Sequence, residues 1–256
     1  MKDARAEAAR FYDLDRDPLD DLAFYVSRLP SATARVLELG CGTGRITVPL
    51  ARHGGFLQGI ELSQAMLAIC RDKLRERTDL AGKVAVDLGD ITNYVLGATF
   101  DLIIAPYRVM QNLETDEEVA GLFRCIRTHL APGGTCILNA FNLRYPNAQA
   151  LIDVWSRPVE ELDWEIVEGT RTVTCHARKG KVKANPLVIY PDLVYRVRER
   201  GELVEEVVFP LVMRCYLADE FLRLFSTHGF EIVDRWGGYA GETYGAGREL
   251  VIQARP

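Results

Sequence analysis

The chain has 256 residues, enough for one large domain or one domain carrying an insert, and its 48% hydrophobic and 26% charged residues exclude a disordered profile. A net charge of −5 gives no bulk attraction to nucleic acid or an anionic membrane, and no apolar run reaches the ~20 residues needed to cross a bilayer. Residues 1–20 carry mixed charge and no apolar h-region, against a signal peptide; the six cysteines (Cys41, Cys70, Cys125, Cys136, Cys175, Cys215) stand singly without metal-like spacing, so a cytoplasmic protein with reduced thiols and no metal is expected.

Leu19, Leu22, Ala23, Tyr25, Val26 and Leu29 fall at helical spacing and predict a helix over 18–29, ended by Pro30. Residues 35–39 read as a strand that breaks into Gly40-Cys41-Gly42-Thr43-Gly44, and 46–51 begin a helix that stops at His53-Gly54-Gly55. A second strand, 56–60, ends in Glu61; Ser63 is a candidate N-cap for a helix over 65–77. A third strand, 83–87, is closed by Gly89-Asp90. A fourth, 100–105, is almost continuously apolar, as buried parallel strands are. Residues 114–130 predict a helix stopped by Pro132-Gly133-Gly134, and 135–141 a fifth strand. This alternation predicts a doubly wound α/β, Rossmann-like sheet with right-handed crossovers.

The pattern then changes. From about Trp164 to Arg214 the periodicity is two, at Thr172/Thr174, Leu193/Tyr195/Val197 and Val204/Val207, with turns at Arg178-Lys179-Gly180 and Arg200-Gly201. An antiparallel β insert of three to four strands is expected. Residues 217–228 return to helix, and 230–235 and 249–254 are two closing strands joined by a glycine-rich loop over 237–247. The expected organisation is a core of 1–147 and 215–256 with an insert of 148–214.

The glycine turn has the spacing G-x-G-x-G, not the G-x-G-x-x-G of dinucleotide-binding turns. Glu38, two residues before the first glycine, brings negative charge that would repel a pyrophosphate but suits a cationic amino or sulfonium group. Glu61 closes the second strand, where an acid can take a ribose diol, and Asp90 the third, where it can accept from a base amine. Three acids at three adjacent strand ends lie where open α/β sheets bind ligands.

VLELGCGTGRITVPLA resembles motif I of the class I S-adenosylmethionine-dependent methyltransferases. GIELSQAML, GDI, FDLIIAPY and LAPGGTCIL resemble the family's following motifs in their order, and the closing helix and strands match its end. The resemblance implies a seven-stranded, mostly parallel sheet with an antiparallel last strand. It implies that Glu38, Gly40, Cys41, Gly42 and Gly44 lie beside the methionine part of S-adenosylmethionine. Glu61 would hold the ribose with Leu62 and Met66 nearby, Asp90 and Ile91 would frame the adenine, and Ala105 would lie near the methionine moiety. Tyr12 would stand over the cofactor, as an N-terminal tyrosine does in related small-molecule enzymes. The product would be S-adenosylhomocysteine.

Ala105-Pro106-Tyr107-Arg108 departs from the Asn/Asp-Pro-Pro-Tyr/Phe motif of base and glutamine N-methyltransferases, which counts against a nucleic-acid or protein substrate. Tyr107, Arg108 and Gln111 are the candidate catalytic residues on the acceptor side. Asn142, Arg144, Tyr145, Tyr239 and Tyr244 are further candidates there. Trp155, Trp164 and the four histidines (His53, His129, His176, His228) read as packing or surface residues. The insert is similar in topology to that of bacterial sugar N,N-dimethyltransferases and glycine N-methyltransferase-like enzymes, where it covers the acceptor or builds a homodimer. The expected function is methyl transfer to the N, O or C atom of a small molecule, with no nucleic-acid or membrane partner. The alternatives are a protein or RNA methyltransferase and a non-catalytic cofactor-binding module.

Overall fold

The computed structural model describes residue 3, residues 5–14 and residues 21–256. A 3-10 turn, Ala9–Leu14, and helix α1, Leu22–Ser27, precede the sheet. The helix expected from residue 18 is thus six residues where it is described, and Pro18 and Leu19 lie outside the described residues. Then follow β1 (Arg35–Leu39), α2 (Thr47–Leu50), β2 (Phe56–Glu61), α3 (Gln64–Arg75), β3 (Val84–Leu88), β4 (Phe100–Ala105), α4 (Asp116–His129) and β5 (Leu130–Phe141). Helix α5 (Ala148–Trp155) leads into β6 (Glu160–Glu168), β7 (Arg171–Arg178), β8 (Val182–Lys183), β9 (Val188–Ile189), β10 (Asp192–Glu199), β11 (Glu202–Pro210) and β12 (Met213–Arg214). Helix α6 (Ala218–Thr227), β13 (Glu231–Trp236) and β14 (Glu249–Arg255) close the chain.

The main sheet has the order β3-β2-β1-β4-β5-β14-β13. β3, β2, β1, β4 and β5 are parallel; β14 runs antiparallel between β5 and β13. The expected doubly wound, seven-stranded sheet with an antiparallel last strand is therefore present. The strand order reverses between β1 and β4, which opens a crevice at their carboxyl ends.

Alternation within the strands splits the core in two. Leu37, Leu39 and Ile103 face Leu122, Phe123, Phe221 and Phe225 of α4 and α6. Val36, Leu102 and Ile104 face Phe24 and Tyr25 of α1 and Leu50 of α2. Burying both faces of the parallel strands explains the almost continuous apolar run of β4. Ser63 caps α3 as expected, its Oγ accepting from the Met66 N–H at 3.2 Å.

The insert departs from expectation in detail. A four-stranded antiparallel sheet, β6-β7-β10-β11, is joined by a second small sheet, β8-β9-β12, and preceded by α5. β6 begins at Glu160, upstream of the expected start. The turn at 200–201 falls where expected, with φ of +53° and +86° at Arg200 and Gly201 in the tight β10–β11 hairpin, whereas residues 178–180 only end β7 and the turn comes later, at 184–187 between β8 and β9. One face of the larger sheet, with Val173, Cys175, Tyr195, Val197, Val207 and Phe209, packs onto Ala8 and Phe11. All six cysteines are free and buried. Among the described residues no helix is long and apolar enough to cross a membrane, and no cluster of metal-ligating side chains occurs.

Candidate cofactor and acceptor site

The glycine turn after β1 is left-handed three times: Gly40, Gly42 and Gly44 have φ of +70°, +55° and +85°. A Cβ at Gly40 would strike Val109 at 2.6 Å and one at Gly44 the Cys70 Sγ at 2.8 Å, so these two glycines are demanded by packing. At Gly42 the nearest atom would be Met66 Cε at 3.5 Å, which leaves room for a ligand against the backbone. The N–H groups of Gly40 and Cys41 both donate to the Ile60 carbonyl, at 2.7 and 3.0 Å, and tie the turn to the end of β2.

Glu61, at that end, is buried and accepts from the Gly42 N–H (2.9 Å) and the Ser63 N–H (2.8 Å), with the Arg5 guanidinium 3.8 Å away. Asp90 follows β3. Its Oδ1 accepts from the Thr92 N–H and hydroxyl at 2.8 and 2.7 Å, which leaves Oδ2 available to an amine. Ile91 is buried beside it, whereas Leu62 is 63% exposed, an apolar side chain that a base could cover. Met66 is buried against the turn and Ala105 closes β4. Glu38 is buried and accepts from the Thr47 hydroxyl at 2.7 Å; burial pushes its carboxyl up to about 8.

An N-terminal segment crosses this crevice. Asp3 Oδ2 accepts from the Ser63 hydroxyl (2.8 Å) and the Ala65 N–H (3.0 Å). Asp13 accepts from the Thr43 hydroxyl at 2.7 Å and pairs with Lys73 at 2.8 Å. Tyr12, between them, sits near Arg45, Arg5, Glu61 and Glu38, and burial pushes its phenol up to about 12. Its ring meets Tyr107 edge-on, with centroids 6.1 Å apart.

Sequence reasoning missed Arg45. Its guanidinium makes two bonds, 2.6 and 2.8 Å, to the fully buried Asp21 and lies 5.0 Å over the Tyr107 ring. Its position directly after the turn was the one available signal. The three acceptor-side candidates separate. Tyr107 faces Tyr12. Arg108 is paired with the buried Glu249, and Gln111 bridges elements, its Nε2 donating to the Arg214 carbonyl and its Oε1 accepting from the Phe141 N–H, both at 2.7 Å.

The outer candidates are engaged in packing. Asn142 Nδ2 donates to the carbonyls of Gly245 and Gly247 (2.8 and 2.9 Å), and the Tyr244 hydroxyl to Ala218 (2.8 Å). Tyr239 packs on Phe24 and Tyr25, Tyr145 beside Leu151, and Arg144 is exposed. Trp155 and Trp164 belong to the insert's apolar clusters. His129 is buried and bonded to Cys125 and Leu96, His228 stacks on Phe123, His53 is exposed, and His176 lies on the insert.

The residues fit S-adenosylmethionine: a turn open at Gly42, acids at the ends of three adjacent strands, an uncovered apolar side chain at Leu62, and two tyrosines at the far end. In fold and in the layout of its site the chain is similar to the class I S-adenosylmethionine-dependent methyltransferases. Residues 36–134 match the family described as a methyltransferase domain.

The chain is 30% identical, over 54% of its length and 50% of the relative's, to dTDP-3-amino-3,4,6-trideoxy-alpha-D-glucopyranose N,N-dimethyltransferase of Streptomyces venezuelae. It is 39% identical, over 32% of its length and 37% of the relative's, to magnesium-protoporphyrin O-methyltransferase of Rhodobacter capsulatus. The matched stretches thus span half or less of these relatives' lengths. The fold is similar to that of the CcbJ methyltransferase from Streptomyces caelestis, with a TM-score of 0.79, 22% identity, and 99% and 97% of the two chains covered.

Proposed function

We propose that this protein transfers a methyl group from S-adenosylmethionine to an amine nitrogen of a small molecule. The observation that carries this is the gathering of Glu38, Glu61 and Asp90 round the open turn at Gly42, with the Tyr12–Tyr107 pair beyond it. When bound, S-adenosylmethionine supplies an electrophilic methyl group on a sulfonium.

The chain's own residues then have to align an acceptor and exclude water. Tyr12 and Tyr107 wall the site. With its phenol held up to about 12, Tyr12 stays protonated and offers a hydroxyl dipole rather than a base. A hydroxyl acceptor needs a base, whereas a neutral amine carries its own lone pair. Among the described residues no histidine lies on the strand ends or loops of the site. Of the two curated relatives above, one is named for N-methylation and one for O-methylation; the N-methylating one matches over the longer stretch, 54% of the chain against 32%, which supports nitrogen. An amine aligned there would take the methyl carbon as the carbon–sulfur bond breaks, and the resulting ammonium would give a proton to solvent.

The acidic balance of the chain supports a small acceptor over nucleic acid. In this reading the insert roofs the acceptor, while the outward-facing Leu162 and Val208 of its larger sheet, 57% and 44% exposed, form the surface for a homodimer. Light scattering on the purified chain tests the dimer. Calorimetric titration with S-adenosylmethionine and S-adenosylhomocysteine, against NAD and NADP, tests the cofactor. Labelled methyl transfer to matched amine and alcohol panels tests the acceptor atom. Binding of neither adenosyl compound overturns the reading, and label on alcohols alone overturns nitrogen.

A further inference from the structure

Tyr107 and Arg108 are consecutive non-glycine residues with φ of +54° and +65°. Each such residue costs energy and persists only where its surroundings over-determine it; strain of this kind gathers at functional sites. The turn directly follows β4, at the crevice.

Its restraints come from two other strands. The Arg108 N–H donates to Asn139 Oδ1 of β5 at 3.0 Å. The Arg108 side chain crosses to Glu249, the first residue of β14: Nε lies 3.0 Å from Oε1, and Nη2 pairs with the same oxygen. Asn139 Nδ2 donates to Glu249 Oε2 at 2.8 Å and closes a ring of three residues. Asn139 and Glu249 are buried (0% and 1% exposed). The Arg108 guanidinium lies 5.4 Å from the Tyr107 ring centroid; Arg45, held by Asp21, reaches the same ring at 5.0 Å. Two guanidinium groups, each fixed by a buried carboxylate, thus grip one tyrosine. A buried ion pair is weak evidence for stability, since apolar residues of similar volume often serve as well. What an apolar pair would not supply is a hydrogen-bonded brace for this turn.

We propose that Glu249 is a positioning residue for methyl transfer: through Asn139 and Arg108 it holds the left-handed Tyr107–Arg108 turn and so aims Tyr107 at the acceptor side of the crevice. This rests on the methyltransferase reading for its purpose but not for its geometry, and the test separates the two. Tyr107 is replaced by 3-fluorotyrosine, and its fluorine resonance is recorded in the full chain, in Glu249→Gln and in the double variant Arg108→Met with Glu249→Met, with and without S-adenosylhomocysteine.

The unsubstituted frame should give one narrow line that shifts on saturation with S-adenosylhomocysteine. Both variants should give broadened or multiple lines. A single narrow line at the same position in either folded variant overturns the proposal. Should Glu249→Gln fail to fold, the double variant, which leaves no unpaired buried charge, decides. Absence of any S-adenosylhomocysteine binding overturns the cofactor reading instead, and the ligand-free spectra still decide the role of Glu249.

Discussion

Phe11 lies flat on Tyr195, the ring centroids 4.8 Å apart and the planes within 8° of parallel. The contact joins the insert to the segment that crosses the cofactor turn, since Tyr12 and Asp13 follow immediately. Replacing Phe11 by Ala removes the stack and empties a buried position, with a local cost of about 3 kcal/mol. The expected result is faster amide exchange over residues 5–14 and an S-adenosylhomocysteine affinity lower by about tenfold, or ~1.4 kcal/mol. Unchanged exchange there would mean that the polar anchors Asp3 and Asp13 hold the segment by themselves.

Glu61 satisfies two backbone donors, Gly42 and Ser63, before it meets any ligand. Glu61→Ala orphans both and removes the proposed ribose acceptor, so cofactor binding should weaken by about 1–3 kcal/mol. Calorimetry measures this. An affinity equal to that of the parent protein would remove Glu61 from the ribose.

Glu38 ties stability and binding to pH. Its carboxyl is raised to about 8 from an ordinary 4.5, chiefly by burial; Thr47 and Arg45 pull it back, and Cys70 and Asp21 push it up. A raised carboxyl contributes its stability fully below 4.5 and loses it as pH climbs through about 8. Melting curves of the ligand-free protein should therefore fall between pH 4.5 and about 8 more steeply than those of Glu38→Gln, and run parallel to them above that. A cationic ligand favours the ionised form, so S-adenosylmethionine should bind more tightly as pH rises through the same window, releasing a proton. Titrations in buffers of different ionisation enthalpy detect that proton, and its absence from the parent protein would count against the assignment.

Gly40 and Gly169 separate strain from collision. Gly169 has φ of +62° with nothing within 4 Å of an added Cβ, so Gly169→Ala carries strain alone, about 1 kcal/mol. Gly40→Ala adds the contact with Val109 to a φ of +70° and should cost about 2–4 kcal/mol. Denaturant unfolding compares the two. Equal losses would show that Val109 simply moves aside.

The elements that the sequence foretold are those whose cause is local. An almost continuous apolar run marked β4 because both faces of a parallel strand are buried, and Ser63 announced α3 because a cap bonds within its own first turn. β6 was read only in part. It is an edge strand, largely exposed along its length, so period-two burial is weak in Glu-Glu-Leu-Asp-Trp-Glu-Ile-Val-Glu. The closing of β5 back to Leu130 passed unread, because Pro132 and two glycines look like a break until β4 supplies the partner strand.

For the site the division is the same. The positions of Glu38, Glu61 and Asp90 followed from sequence by itself, because each lies at or within two residues of a strand's carboxyl end and neighbouring strands bring those ends together. The partners of Arg45 and Arg108, and the hold of Tyr195 on Phe11, were decided only by the tertiary structure. Asp21 is 24 residues from Arg45 and Glu249 is 141 from Arg108, and such pairings leave no periodic trace. A charged residue looks the same in sequence whether solvent or a buried carboxylate receives it; only the packed sheet, by removing the solvent, makes that choice.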